Sequence, residues 1–320
     1  MNYIKENTND LISICIVTQN NYNFMEKLLN SIFTLYQDSK IEIVIVDNNS
    51  KDNTSQLIED FKNKGRIPII YIKRKREFSL PENRNLAIKN SNGDIIVMID
   101  SDIEFVDKKF FNTIRKIFQN NDVSMLAPLI ISSKTGLTQS LGLENIFKIP
   151  YLFKFKFPNM NPKRVEELTN DRLIEVQMIH GACFIFRKSL CEQIGCFDEF
   201  MEPYNFDEMD FTIRAYMHGF KIFATSKIYI MHYGGGTTNK FNIIQRAELF
   251  ISHGFRSLMR NYKSKIFSLT LLSFIFFFAA TYELLIESKK PLISIQTTIK
   301  SFIWAINNKE KPLIKLANES

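Results

Sequence analysis

Cysteine, histidine and tryptophan are scarce in this chain of 320 residues, which has four cysteines, four histidines and one tryptophan. The pair Cys191 and Cys196 lacks the spacing and the neighbouring histidines of a zinc site. The other two, Cys15 and Cys183, stand in apolar runs where small buried thiols are common. We therefore expect reduced thiols in a cytosolic compartment.

A signal peptide and a nucleic-acid-binding motif are also missing from the sequence. The first ten residues are polar and no apolar stretch precedes Leu11, so we expect the catalytic part of the chain to stay in the cytoplasm. The net charge is +7, with lysine and arginine concentrated in residues 62–76 and 256–265. Without a nucleic-acid motif, such basic surfaces favour a phosphorylated substrate or an anionic lipid over nucleic acid.

The chain has an ordinary globular composition, 45% hydrophobic and 23% charged, and its first hundred residues alternate between strand and helix patterns. Apolar runs predict strands at Ile12–Val17, Ile41–Val46, Ile67–Ile72 and Asp94–Ile99. Helical spacing predicts helices at Phe24–Tyr36, Thr54–Phe61 and Pro81–Lys89. This alternation indicates a mostly parallel sheet covered by helices, with ligands at the carboxyl ends of the strands.

The patterns after residue 103 are less regular. Strands are predicted at Val123–Ile131, Leu173–Ile179, Cys183–Phe186, Lys221–Ala224 and Ile228–His232. Helices are predicted at Phe110–Phe118, Lys188–Ile194 and Asp207–His218, and residues 148–163 are predicted to form a loop.

Two carboxylates, in Asp100-Ser101-Asp102, stand at the mouth of the buried strand Asp94–Ile99. Carboxylates in such a place are costly unless a positive charge meets them. A Mg²⁺ or Mn²⁺ ion carrying a diphosphate would meet them, because these hard cations prefer oxygen ligands. Asp47 follows another predicted strand, so it should reach the same edge of the sheet.

Several short motifs occur together in a fixed order. They are Ser13–Thr18, Ile43–Ser50, Arg84-Asn85, Asp100–Asp102, Gly181-Ala182, Gly195–Glu199, and Asp207–Phe211 with Arg214. This ordered set resembles glycosyltransferase family 2, particularly its rhamnosyltransferase-like branch, over residues 11–240. The resemblance implies the type-A glycosyltransferase fold, an α/β fold that is Rossmann-like, and a nucleotide-diphosphate sugar as donor.

The resemblance also implies a donor-binding set. Thr18 and Asn20 would border the nucleoside, and Asp47 would accept hydrogen bonds from the base or the ribose. Asn48 stands where many members have a second aspartate, so the nucleobase is left open between uracil, thymine and guanine. Arg84 would face the base and the diphosphate, since a guanidinium binds phosphate in a bidentate fashion.

The resemblance assigns the metal and catalytic groups as well. Asp102 would bind Mn²⁺ or Mg²⁺ directly, Asp100 would contact the ribose or a metal-bound water, and His232 would complete the metal ligands. Members usually carry Glu-Asp-x-Asp where this chain has Asp207-Glu208-Met209-Asp210. Glu208 is therefore expected to be the catalytic base, with Asp207 as the alternative, and Asp210 is expected to pair with Arg214.

The last 80 residues differ in character. Ile266–Ile286 is almost wholly apolar and long enough to span a bilayer, and Pro291–Ile306 is a second, weaker apolar segment. The preceding basic residues, which include Arg256 and Arg260, resemble a cytoplasmic flank. We expect a catalytic domain at 1–240 and a helical, membrane-associated segment at 241–320, on the cytoplasmic face of the membrane. This segment would form either one membrane span or a pair of helices lying in the interface. A buried helix in a cytoplasmic protein is the alternative.

The predicted function is an inverting, metal-dependent transfer of a sugar to a hydroxyl of a glycan or lipid-linked acceptor. A polyprenyl-phosphate sugar synthase is one alternative, although a phosphate acceptor would not need the base that Asp207 or Glu208 supplies. A catalytically inactive protein that binds sugar nucleotides is the other. A processive synthase is disfavoured, because no Gln-x-x-Arg-Trp motif precedes the only tryptophan, Trp304.

Overall fold

The structure is a computed structural model that describes residues 10–36, 40–141, 173–179, 181–234, 242–261 and 291–309. Its strands are β1 (Ile12–Thr18), β2 (Ile41–Asp47), β3 (Ile69–Lys73), β4 (Ile95–Asp100), β5 (Ile103–Phe105), β6 (Val123–Ser132), β7 (Thr138–Ser140), β8 (Ile174–Val176), β9 (Cys183–Arg187) and β10 (Lys221–His232). Its helices are α1 (Tyr22–Leu35), α2 (Thr54–Asn63), α3 (Leu80–Lys89), α4 (Phe110–Phe118), α5 (Ser189–Ile194), α6 (Asp207–Met217), α7 (Ile243–Asn261) and α8 (Pro291–Asn308).

These strands form one sheet with the order β3-β2-β1-β4-β9-β6-β10-β5, while β7 pairs with β6 and β8 with β10. Strands β3, β2, β1 and β4 are parallel to one another, and β6 is parallel to β10. Strand β9 runs antiparallel to both β4 and β6, and β5 antiparallel to β10. The prediction of a mostly parallel sheet flanked by helices is confirmed.

The sheet has apolar residues on both faces because helices cover both. On β1, Ile14 and Ile16 face the side that carries α1, α2 and α4, whereas Cys15 faces the side that carries α3, α5 and α6. All three side chains are fully buried. This two-sided burial explains the continuous β-branched runs in the sequence.

The register of the central strands gathers the predicted site at one edge. Thr18 pairs with Asp47 across β1 and β2, and Val17 pairs with Asp100 across β1 and β4. On the other side, His232 at the end of β10 pairs with Ile103 of β5. Residues that are far apart in the sequence therefore meet where their strands end.

Some local predictions need correction. Lys221–Ala224 and Ile228–His232 are parts of one strand, β10, whose pairing with β6 shifts register between Thr225 and Tyr229. This irregularity absorbs the polar residues that made the pattern look like two strands. The strand predicted at Leu173–Ile179 is shorter, Ile174–Val176, and the short strands β5 and β7 were not predicted. The loop predicted at residues 148–163 lies outside the described residues.

The expectation of four reduced thiols is wrong for one pair. Cys191, within α5, and Cys196, just after it, form a disulfide. The helix stop at Gly195 brings the two residues close, with 4.4 Å between their Cα atoms. Cys15 and Cys183 are free and buried, as expected.

Helices α7 and α8 pack against each other through an apolar cluster that contains Ile251, Phe255 and Ala305. In the described parts of the chain, no helix is both long and apolar enough to cross a bilayer. The predicted span Ile266–Ile286 lies outside the described residues.

Candidate active site

Two carboxylates and one imidazole meet where β4 and β10 end. Ligand atoms of Asp100, Asp102 and His232 all lie within 4.8 Å of one another. His232 Nδ1 lies 2.9 Å from Gln139 Oε1. If Nδ1 carries the proton, Nε2, 3.4 Å from Asp102 Oδ1, is the nitrogen able to bind a metal. Two carboxylates and one imidazole are a donor set that fits Mn²⁺ or Mg²⁺.

Burial and close packing shift the pKa values of Asp100 and His232 in this cluster. Burial is the main cause that raises the pKa of Asp100 to about 6, and repulsion from Asp102 adds to it against the attraction of Arg84. Burial disfavours a charged His232, but its hydrogen bond and attraction to Asp102 outweigh this and raise the pKa of the imidazole. A divalent cation would relieve the repulsion between the two aspartates.

The loop after β1 joins the loop of Asp100–Asp102 to the loop after β2. Asn20 has a left-handed φ of 51°, and its Oδ1 accepts a hydrogen bond of 2.7 Å from the Lys51 backbone N–H. Asn21 Nδ2 donates to Oγ of Ser101 at 2.7 Å. The hydroxyl of Thr18 is buried and has no hydrogen-bond partner among the described residues. A ligand at this edge of the sheet would supply the partner that the hydroxyl lacks.

Asp47, predicted to contact the nucleoside, is fully buried and binds its own loop. Its carboxylate accepts hydrogen bonds from the Ser50 N–H at 2.8 Å, the Ser55 hydroxyl at 2.8 Å and the Tyr71 hydroxyl at 2.9 Å. Only the remaining lone-pair position of Asp47 could serve a ligand. The role of Asp47 in nucleoside binding stays a prediction.

Asn48 fixes the chain that leads into α3. Its Nδ2 donates to the Phe78 carbonyl at 3.0 Å, and its Oδ1 accepts from the Phe78 N–H at 2.8 Å. An aspartate at this position could not donate, so asparagine suits this two-way bond. The departure from the family pattern at Asn48 therefore has a local structural reason.

Sequence reasoning missed a basic and aromatic cluster beside this loop. The guanidinium carbons of Arg74 and Arg76 lie 3.4 and 4.4 Å from the centroid of the Phe78 ring. Arg74 also pairs with Glu82 at 2.7 Å. The run Lys73–Arg76 was visible as part of a basic stretch. What the sequence could not indicate is that Asn48 brings Phe78 under these arginines.

Arg84 stands at the centre of the site, on α3, and is only 3% exposed. Its guanidinium donates to Asp207 at 2.7 Å and to Asp100 at 3.3 Å, and it lies 3.7 Å from Glu208. Burial opposes its charge, but the three carboxylates outweigh that effect and raise the pKa of Arg84. One buried cation is therefore shared by three acids that come from two parts of the chain.

Asp207 and Glu208, the predicted catalytic acids, begin helix α6. Asp207 is fully buried, and its Oδ1 has no hydrogen-bond partner among the described residues. Glu208 retains 15% exposure of its side chain. Burial, with repulsion from Asp207, raises the pKa of Glu208 to about 8 in spite of Arg84. Of the two, Glu208 is the one that solvent, and hence an acceptor, can reach.

Gly181 and the turn before α6 determine where Glu208 stands. A Cβ atom on Gly181 would lie 2.8 Å from Glu208 Cδ, so any larger residue there would displace this carboxylate from its observed position. Asn205 and Phe206 have left-handed φ values of 86° and 72°. For a phenylalanine this conformation is strained, and such strain often accompanies functional sites.

Arginines of α6 and α7 neutralise two further buried acids. The predicted pair of Asp210 and Arg214 is confirmed, with Nε 2.8 Å from the carboxylate. Asp198 receives Arg256 in a bidentate pair at 2.7 and 3.0 Å and Arg260 at 2.8 Å. Arg256 is fully buried, so the interpretation of Arg256 and Arg260 as a cytoplasmic basic flank is wrong. Both of these arginines instead tie α7 to the chain that precedes helix α6.

Comparison with known sequences gives one family match. The sequence model for Glycosyl transferase family 2 matches residues 13–195. The chain is 39% identical over 95 residues to the abequosyltransferase RfbV of Salmonella typhimurium, covering 29% of this chain and 28% of that protein. It is 35% identical over 85 residues to the uncharacterized glycosyltransferase YfnE of Bacillus subtilis, covering 26% of this chain and 21% of that protein. The matched region is therefore less than a third of each relative.

Two solved structures share the fold. The mannosyltransferase PcManGT from Pyrobaculum calidifontis, in complex with GDP-Man and Mn²⁺, has a TM-score of 0.56 at 15% identity, covering 93% of this chain and 86% of that one. TarS of Staphylococcus aureus, in complex with UDP-GlcNAc, also has a TM-score of 0.56, at 16% identity, covering 93% and 91%. At these identities the likeness establishes the type-A glycosyltransferase fold alone.

Proposed function

Because this chain belongs to glycosyl transferase family 2, we propose that it transfers a sugar from a nucleotide-diphosphate donor to a hydroxyl acceptor with inversion at the anomeric carbon. It is a glycosyltransferase; the inversion, the residue roles and the acceptor are parts of the proposal. One observation gives these proposals their main support. Three acids, Asp100, Asp207 and Glu208, lie around Arg84, and Asp102 and His232 lie next to them.

Asp100, Asp102 and His232 are the residues that would hold Mn²⁺ or Mg²⁺. Their ligand atoms lie close enough together, and their chemistry suits either cation. When bound, the cation would neutralise charge on the diphosphate that leaves the sugar. Arg84 would add its own positive charge, replacing part of its contact with Asp100 by a contact with phosphate.

Donor recognition is assigned to the edge of β1, β2 and β3. Thr18 would use its buried hydroxyl, Asn20 would shape the loop, and Asp47 and Asn48 would hold the walls of the nucleoside pocket. The stacked Arg74 and Phe78 lie next to Asn48 and are added to this set. Binding of UDP, dTDP and GDP would show whether this pocket accepts uracil, thymine or guanine.

Glu208 is proposed as the general base. An acceptor hydroxyl must lose its proton as it attacks, and a carboxylate with a pKa of about 8 is a stronger base than an ordinary glutamate. Asp207 is fully buried against Arg84, so its proposed task is to hold that arginine. A phosphate acceptor would not need a base here, which disfavours a polyprenyl-phosphate sugar synthase.

The acceptor class and the location are also proposals. We propose a glycan or lipid-linked acceptor at the cytoplasmic face of the cell membrane, with a catalytic part at 1–240 and a membrane-associated part at 241–320. The apolar segment Ile266–Ile286 supports this placement. A place in the rhamnosyltransferase-like branch is also proposed, on the ordered set of motifs as a whole.

A thermal-shift screen tests the proposed function. UDP, GDP and dTDP would each be added to the full chain with and without Mn²⁺. We expect one of them to raise the unfolding temperature only when Mn²⁺ is present, since a ligand that binds the native state stabilises it. The matching nucleotide sugar should then be hydrolysed slowly without acceptor. Absence of any Mn²⁺-dependent shift would contradict donor binding, and a shift without hydrolysis would favour an inactive binding protein.

A further inference from the structure

Helix α8 carries apolar side chains on its outer side as well as on its inner side. Its fully buried residues are small or hydroxyl-bearing, namely Ser294, Thr297, Thr298, Ser301 and Ala305, and the partly buried Phe302 and Trp304 pack beside them against α7. Ser301 Oγ donates to the Glu248 carbonyl of α7, and Ala305 joins the apolar cluster of that helix. A helix on the surface of a globular protein normally turns its apolar side inward.

The outward side of α8 is apolar along its length. The exposed large side chains there include Leu292, Ile295, Ile299, Ile303 and Ile306. Leu292 is 75% exposed and Ile303 is 52% exposed. Their spacing of three or four residues places them in one stripe, roughly 20 Å long at 1.5 Å per residue. We call this stripe the α8 face.

The charge of the sequence on either side of α8 indicates what could cover the α8 face. Beyond Asn261 the acidic residues are Glu283, Glu287, Glu310 and Glu319. The lysines are twice as numerous: Lys263, Lys265, Lys289, Lys290, Lys300, Lys309, Lys311 and Lys315, of which Lys300 pairs with Glu248. Lysines that flank an apolar segment in the sequence favour binding to anionic lipid headgroups.

The chain itself continues the apolar character. Residues 262–290 join α7 to α8 and contain the run Ile266–Ile286. A stripe of five side chains is also small beside the roughly 20–30 residues that each partner contributes to a standard protein interface. Both observations favour a lipid surface over a second copy of the chain.

We propose that the α8 face docks the enzyme on an anionic lipid bilayer, with α8 lying along the membrane surface. Amphipathic helices bind bilayers in this way through apolar side chains on one side and basic residues nearby. The proposal deepens the membrane placement proposed above by naming the surface that makes the contact.

Docking through α8 would place the catalytic turn close to the membrane. Trp304 of α8 stands 5.5 Å, between ring centroids, from His253 of α7. His253 Nδ1 in turn lies 2.7 Å from the Asn205 carbonyl, two residues before Asp207. An acceptor attached to a lipid would thus meet the acidic turn near the surface in which it is anchored.

Vesicle sedimentation of the full chain tests the proposal. The test variant is Ile299→Gln with Ile303→Gln, which leaves the charge unchanged. The control is Gln296→Ala with Asn307→Ala, at exposed polar positions of the same helix. We expect wild type and control to sediment with phosphatidylcholine–phosphatidylglycerol vesicles, and the test variant to lose at least about tenfold in partitioning. Pure phosphatidylcholine vesicles should retain less wild-type protein.

Three outcomes would overturn the proposal. The test variant could partition like wild type, wild type could ignore anionic vesicles, or light scattering without lipid could show a dimer that the test variant dissociates. The last result would assign the α8 face to a second copy. The Mn²⁺-dependent thermal shift with nucleotide should be the same in wild type and variant. It therefore reports on the proposed function separately from docking.

Discussion

Helix α6 carries two kinds of buried acid within one turn. Asp210 receives Arg214 at 2.8 Å, the Ser257 hydroxyl at 2.6 Å and Asn261 Nδ2 at 3.2 Å. Burial alone would raise the pKa of Asp210, but these partners outweigh it and the pKa lies below its usual value. Glu208, two residues earlier, has a pKa raised to about 8.

The pKa values of these acids differ because the acids receive different shares of the charge on neighbouring arginines. Asp198 pairs with two arginines, Arg256 and Arg260, whereas Arg84 is divided among three carboxylates. Asp198 and Asp210, which hold helices together, each pair with at least one arginine that does not contact the acids around Arg84. The acids beside Arg84 are left under-compensated, which makes Glu208 basic and leaves room for a cation near Asp100. The acids proposed to be catalytic therefore differ from the structural acids in their share of positive charge, because both sets are buried.

The largest effect is expected for Asp102→Asn, which removes a charge from the cluster of Asp100, Asp102 and His232 beside Arg84. Donor binding in the presence of Mn²⁺ should be lost, and transfer should fall by about 10³-fold or more, since a catalytic metal contributes several kcal/mol. Calorimetry with nucleotide diphosphate and Mn²⁺ measures the first effect. Asp122→Asn, which alters an exposed acid, is the matched control. Unchanged Mn²⁺-dependent affinity in Asp102→Asn would remove Asp102 from the metal site.

Glu208→Gln separates catalysis from binding. Donor affinity should stay near that of wild type, while the transfer rate falls by roughly 10²–10⁴-fold, the usual contribution of a positioned base. Asp207→Asn should instead weaken donor binding as well, because it frees Arg84 from its shortest ion pair. If Asp207→Asn binds donor normally and transfers nothing while Glu208→Gln remains active, the two roles must be exchanged.

Removing an arginine from the structural acid Asp198 should lower the stability of the fold without changing the reaction chemistry. Arg256→Ala leaves Asp198 buried with one cation fewer, and removing one partner of a buried pair costs about 3–5 kcal/mol in the free energy of unfolding. Urea denaturation measures this loss. Lys221→Ala, which breaks an exposed pair with Asp122, should cost less than about 1 kcal/mol. An equal, small cost in both variants would mean that the buried pair is not a structural clamp.

The comparison also explains which features the sequence could predict. Strands β1, β2 and β4, and with them the placement of Asp47 and Asp100 at one edge, follow from local periodicity alone. The pair of Asp210 and Arg214 was predictable because the two residues are one helical turn apart. Arg256 and Asp198 are 58 residues apart, and no local pattern reports such a pairing.

Misinterpretation of Arg256 and Arg260 had a physical cause. Basic residues ahead of an apolar run resemble a membrane flank whether they face solvent or a buried acid, and only tertiary packing decides between these states. The same limit applies to Glu208 and Asp207. The position of the motif in the sequence predicted both residues as candidate bases. The burial of Asp207 against Arg84 and the space beside Gly181 that Glu208 occupies can be seen only in the folded chain.

The smallest expected effect is on the pH dependence of transfer. A base must be ionised to act, and a carboxyl whose pKa is about 8 is mostly protonated at pH 6. The value of kcat/KM should therefore rise roughly tenfold from pH 6 to pH 7 and level off above pH 8. In Glu208→Gln this rise should vanish. Asp210→Asn should keep the rise while losing stability, because Asp210 is already ionised throughout this range. If kcat/KM of the wild type did not change between pH 6 and pH 8, Glu208 would not be a general base with a raised pKa.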